Sequence, residues 1–161
     1  MASKTLDWYI GERTESLAIM HLTRRQDLNI RREIRDGDRV VDLMVEIGDS
    51  QRPGWKKFGV ELKGVKAPVT IAQANKLLAT SLRRFFKDHG DPTLPVCLFI
   101  FSMDDGQGYV TWIAEPVIRE GRPKLQYHTA ADCTLLDRRA LDRIVERVNA
   151  WYDVYYNDIK T

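Results

Sequence analysis

Within the apolar stretch from Pro95 to Met103 the chain runs Val96-Cys97-Leu98-Phe99-Ile100-Phe101, six residues without a polar side chain. An uninterrupted apolar run of this length, rich in aromatic and branched residues and closed by the turn residues Asp104-Asp105-Gly106, predicts a strand buried on both faces of a sheet. The flanking segments are of two kinds. Gly11 to Arg25 predicts a helix with Ala18, Ile19 and Leu22 on one stripe. Val69 to Lys87 predicts a second, opened by the capping box Thr70-Ile71-Ala72-Gln73 and carrying Ile71, Ala74, Leu78, Leu82 and Phe85. Leu136 to Tyr156 predicts a long C-terminal helix whose residues suggest packing alone. Leu28–Asp36, Arg39–Ile47, Trp55–Lys63, Tyr109–Ala114 and Lys124–His128 predict strands, with Asp36-Gly37 as a turn and Gly48 to Gly54 as a loop. The expectation is a mixed α/β fold, a central sheet flanked by helices in the order helix, three strands, helix, strand.

The chain has 161 residues, 43% hydrophobic and 30% charged, which suits one compact domain over residues 1–161 with a single core. No window nears the roughly 20 apolar residues of a membrane span, and Met1-Ala2-Ser3-Lys4 lacks the apolar start of a secretory signal. A cytoplasmic protein without a membrane partner is expected. Cys97 and Cys133 form neither a disulfide framework nor a zinc site and are expected to pack. His21, His89 and His128 have no partner at metal-ligand spacing. A net charge of +2 excludes binding driven by a basic tail. The cations are clustered instead: Arg24, Arg25, Arg31, Arg32, Arg35 and Arg39; then Lys56, Lys57, Lys63 and Lys66; then Arg83, Arg84 and Lys87. Such clusters can contact phosphates or form solvated faces. Trp55, beside Lys56 and Lys57, is a candidate for stacking on a base.

The chemistry is concentrated in two strands. In Arg39–Ile47, Val41, Leu43, Val45 and Ile47 share one face, and Val40, Asp42, Met44 and Glu46 the other. In Trp55–Lys63, Phe58, Val60 and Leu62 face Lys57, Gly59, Glu61 and Lys63 in the same way. An antiparallel pairing across the short loop brings like faces together, so Asp42, Glu61 and Lys63 share one surface. Glu15 lies in the middle of the first helix's apolar stripe, where an unpaired charge is costly, and reaches the same point if that helix packs over that face. Carboxylates gathered in this way repel one another unless a hard cation neutralises them. Mg²⁺ or Mn²⁺ prefers carboxylate, water and phosphate oxygens, and a lysine beside it can position water or stabilise the phosphate transition state. The set suits phosphodiester hydrolysis; no serine–histidine or cysteine–histidine pairing points to acyl transfer.

A helix with Glu15, a strand with Asp42, then Glu61-Leu62-Lys63 on the next strand resembles the PD-(D/E)xK, or restriction-endonuclease-like, nuclease superfamily over roughly Gly11 to Met103. Gly11-Glu12-Arg13-Thr14-Glu15 also resembles the start of a small bacterial branch of mostly uncharacterised domains, some in anti-phage defence. Val41 stands where the superfamily often has proline, and Asp36, Asp38 and Glu46 are neighbouring candidates for the aspartate; strand position and face favour Asp42. The resemblance implies a restriction-endonuclease-like core and a Mg²⁺-dependent endonuclease, acting on DNA in preference to RNA, in a defence or mobile-element setting. Asp42, Glu61 and Glu15 would hold the metal, and Lys63 would act on water or phosphate. Arg31, Arg32, Arg35, Arg39, Lys66 and Gln73 would contact nucleic acid, although Gln73 also has a capping role. The chain would act as a homodimer or as a subunit of a larger complex. The alternative is a catalytically silent module of the same fold, binding nucleic acid or assembling a multi-protein complex.

Overall fold

The computed structural model describes residues 8–32, 41–49 and 51–160. The elements are α1 (Trp8–Leu22), β1 (Leu28–Arg32), β2 (Leu43–Ile47), β3 (Lys57–Val65), α2 (Ile71–His89), β4 (Val96–Ser102), β5 (Gly108–Arg119), β6 (Arg122–Tyr127), β7 (Thr134–Leu135) and α3 (Arg138–Lys160). The strands form one mixed sheet in the order β1-β2-β3-β4-β5-β6, with β7 also on β5. β3 and β4 are parallel, joined through α2, and the other pairs are antiparallel. Every residue of β4 is buried, as its unbroken apolar run requires.

Helices cover the two faces unequally. On one face α1 and α3 pack on Leu43, Val45 and Ile47 of β2, Phe58 and Val60 of β3, and Cys97, Phe99 and Phe101 of β4. On the other, α2 lays Ala74, Leu78, Leu82 and Phe85 over Leu98 and Ile100 of β4 and Ile113 and Ala114 of β5. Burying one such Leu or Phe side chain contributes about 1.5–3 kcal/mol. No helix among the described residues is long and apolar enough to cross a membrane.

α1 can lie close to the sheet because Gly64 has no side chain. A Cβ there would come within 2.6 Å of Ile10 Cγ2 and would collide with Thr14 Oγ1. Gly59 has the same role on the other face, where a Cβ would stand 2.7 Å from Val41 Cγ1. This corrects the expected alternation of β2. The chain bends at Asp42, so Val41 leaves the face of Leu43 and fills the space over Gly59 in the α2-side cluster. The capping box of α2 is present: Thr70 Oγ1 accepts from the Gln73 amide at 3.2 Å, and Gln73 Oε1 accepts from the Thr70 amide at 2.9 Å.

β5 runs beyond its expected end at Ala114 to Arg119, through Pro116. The pairing with β4 stops at Ala114, so the proline lies where β5 pairs on one side, with β6. A missing N–H is tolerated at such an edge.

Candidate active site

β2 and β3 pair antiparallel with Leu43 opposite Val60 and Glu46 opposite Lys57, which keeps like faces together as their alternation predicts. One step beyond Leu43 the backbone ladder gives way to side chains. The Asp42 amide donates to Glu61 Oε1 at 3.2 Å, and the Leu62 amide donates to Asp42 Oδ2 at 2.8 Å. Each carboxylate is thus tied to the other's strand, and both are half-buried at the same place. The bend at Asp42 is what allows this, because it turns the aspartate from the strand direction toward β3.

Lys63 is exposed two residues beyond Glu61, about 7 Å along the strand and on the same face. Among the described residues it has no ion-pair partner. α2 covers this face over β4 and β5, whereas over β1 to β3 the face carries Arg31, Glu46, Lys57, Glu61 and Lys63, none of them buried. Lys63 opens into a groove of about 730 Å³ along α2.

The remaining expected site residues are spread over both faces of the sheet. α1 packs on the face opposite to Glu61 and Lys63, and Glu15 forms an ion pair with Arg32 of β1. Among the described residues no three His, Cys, Asp or Glu side chains gather at metal-ligand spacing. Arg31 is paired with Glu46, which occupies the nearest rival to Asp42. Arg35 and Arg39, and with them Asp36 and Asp38, lie outside the described residues. Lys66 is exposed, and its carbonyl accepts from the Asp104 amide at 3.1 Å. Gln73 combines its capping bond with a place on the groove wall.

Asp42 and Glu61 suit Mg²⁺ as a donor set. They are hard oxygen donors on adjacent strands, half-open to solvent, and Mg²⁺ is commonly held by one or two carboxylates with water and phosphate completing its shell. Glu15 is committed to Arg32 and is not part of that pair.

Several features were not signalled by the sequence. Lys76 joins Lys63 and Arg84 on the groove, a grouping that depends on how α2 lies against the end of β3. His128 Nε2 lies 3.0 Å from Glu115 Oε1, whose other oxygen accepts from Arg147 at 2.6 Å; those three residues come from β5, the loop after β6, and α3. Trp55 is exposed but packs on Tyr156 at 5.0 Å between ring centroids, while its neighbour Lys56 is buried between Asp49 and Asp153. Burial pushes the Cys133 thiol up to about 11 and that of Cys97 higher still, in keeping with packing roles. The chain matches no protein-family model and no curated protein sequence.

Proposed function

We propose that the chain is a divalent-metal-dependent nuclease that hydrolyses phosphodiester bonds, DNA in preference to RNA, with a restriction-endonuclease-like core. The observation that carries this is the coupling of Asp42 and Glu61 across β2 and β3, with Lys63 on the face of Glu61. The order of α1, three antiparallel strands, α2 and a strand parallel to the third supports it, being the core that the sequence resemblance implies. Asp42 and Glu61 hold Mg²⁺ or Mn²⁺. Bound there, the cation supplies an acidified water and neutralises charge on the phosphate. Lys63 donates to the attacked phosphate or orients the attacking water with an ammonium that is not neutralised by any described carboxylate. The cytoplasm, a defence or mobile-element setting and action as a homodimer or complex subunit belong to the same proposal.

One observation favours the second reading, a silent binding or assembly module: Glu15 is engaged by Arg32 instead of joining the other acids. Incubating the protein with plasmid and with labelled single-stranded DNA and RNA, in Mg²⁺ or Mn²⁺, separates the two. Wild type should cut, and Lys63→Ala and Asp42→Asn should each lose about 10²–10³-fold in rate. Cleavage that persists in both variants overturns the site. No cleavage under any condition, with nucleic acid still bound, favours the module.

A further inference from the structure

The groove beside Lys63 is lined by cations, small polar residues and apolar residues. Its lining includes Lys63, Lys76 and Arg84 and no carboxylate. None of these three cations has an ion-pair partner among the described residues, whereas Arg31 and Arg32 are both paired with carboxylates. On α2 the lining positions are Gln73, Lys76, Leu77, Thr80, Ser81 and Arg84, spaced by three and four residues, so they form one continuous stripe. That stripe is separate from the buried one of Ala74, Leu78, Leu82 and Phe85. Thr80 and Ser81 keep its middle low and polar, and Ala67, Pro68 and Val69 form an apolar opposite side.

We infer that this groove seats a single strand of nucleic acid and feeds it to Lys63. The inference rests on the nuclease reading for its substrate class and deepens it. Charge complementarity selects a polyanion: three cations line the groove and no carboxylate does. Dimensions select one strand. From Gln73 to Arg84 the helix rises about 16 Å. A volume of about 730 Å³ over that length leaves a cross-section of roughly 45 Å². A B-DNA duplex is about 20 Å across, so it cannot enter a groove of that section, whereas one strand can. Lys76 and Arg84 contact the backbone, hydroxyls of Thr80 and Ser81 donate to it, and the apolar side meets base faces.

The test is equilibrium binding in EDTA, where no cleavage can interfere. A fluorescent single-stranded oligonucleotide and the duplex of the same sequence are titrated with wild type, with Lys76→Glu/Arg84→Glu, and with Arg122→Glu/Lys124→Glu as an exposed control on β6. Circular dichroism and a melting curve confirm that each variant folds; should the charge reversal fail to fold, Lys76→Gln/Arg84→Gln takes its place. Wild type should prefer the single strand at least tenfold. The groove variant should lose more than tenfold in affinity, and the slope of log affinity against log salt should fall by about 1.4, two contacts at about 0.7 each. The control should match wild type. Equal losses in groove and control variants, unchanged binding in the groove variant, equal affinity for duplex, no binding by wild type, or full competition by polyglutamate would each overturn the inference. The two proposals fail separately. Groove-dependent binding without cleavage in any metal would remove the nuclease reading and leave the groove. Wild-type cleavage with an unchanged KM in the groove variant would do the reverse.

Discussion

The two ends of β3 handle a lysine in opposite ways. Just before its start, Lys56 is 8% exposed, with its ammonium 2.9 Å from Asp153 and 3.4 Å from Asp49. The Tyr152 hydroxyl donates to the Lys57 carbonyl at 2.6 Å, fastening the same end to α3. Toward the other end, Lys63 is exposed, faces a groove without carboxylates, and has two acids within reach of its strand. A charge brought out of water is expensive unless paired, so the partners of Lys56 mark it as structural. A charge left in the open at no cost to the fold is available for a ligand. The two lysines are alike in sequence context, both in a segment rich in cations, and the fold alone distinguishes them.

The largest expected effect is at the open end. Lys63→Met should lower cleavage by about 10²–10³-fold while the melting temperature stays near that of wild type, since exposed substitutions change stability within about 0.5 kcal/mol. A matched loss of stability would make Lys63 structural and remove the contrast.

Next in size is the seat of α1 on the same end of β3. Gly64→Ala introduces a Cβ into Ile10 and Thr14, and Thr14 is 2% exposed with little room to move. Overpacking of this kind should cost about 1–3 kcal/mol in chemical denaturation. An unchanged midpoint would show that α1 is not held against Gly64.

At the closed end, Lys56→Met should cost about 1–2 kcal/mol, below the range for breaking a fully buried pair because the Asp153 side chain is 60% exposed. Cleavage per folded molecule should be unchanged. A cleavage defect with normal stability would reverse the roles assigned to the two lysines.

The smallest effect concerns another paired cation. Arg25 bonds Asp27 at 2.8 Å and 2.9 Å and holds that carboxyl below its ordinary value near 3.8, against the opposing effect of burial. A depressed acid pKa stabilises the fold fully above the ordinary value, and this is lost as pH falls through the folded value. Partial exposure of both groups limits the contribution to under about 1 kcal/mol. Asp27→Asn should therefore flatten the stability profile below pH 4 and leave it parallel to wild type above pH 5. A profile as steep as that of wild type would assign the acid sensitivity to other carboxylates.

Much of the architecture was legible because its signals are periodic. The apolar run of β4, the alternation of β2 and β3 and the stripes of α2 and α3 all depend on local spacing, and each element is present with ends shifted by a few residues. The shared face of Glu61 and Lys63 was legible for the same reason, whereas the backbone bonds that tie Asp42 and Glu61 to each other's strands were not. What failed was non-local. Val41 was expected beside Leu43, but the side-chain-free surface of Gly59 draws it to the other face, a contact between residues 18 apart. The position of Glu15 depended on which face α1 covers, and Gly64 provides the close seat on the face away from Lys63. Lys76 had no motif; only the placement of α2 brings it to the groove.

The most direct measurement is single-turnover cleavage of labelled single-stranded DNA in Mn²⁺ by wild type, Lys63→Met and Lys56→Met, each corrected for its folded fraction. The expected result is a rate reduced by about 10²-fold or more for Lys63→Met and a wild-type rate for Lys56→Met. Equal rates for wild type and Lys63→Met would contradict it.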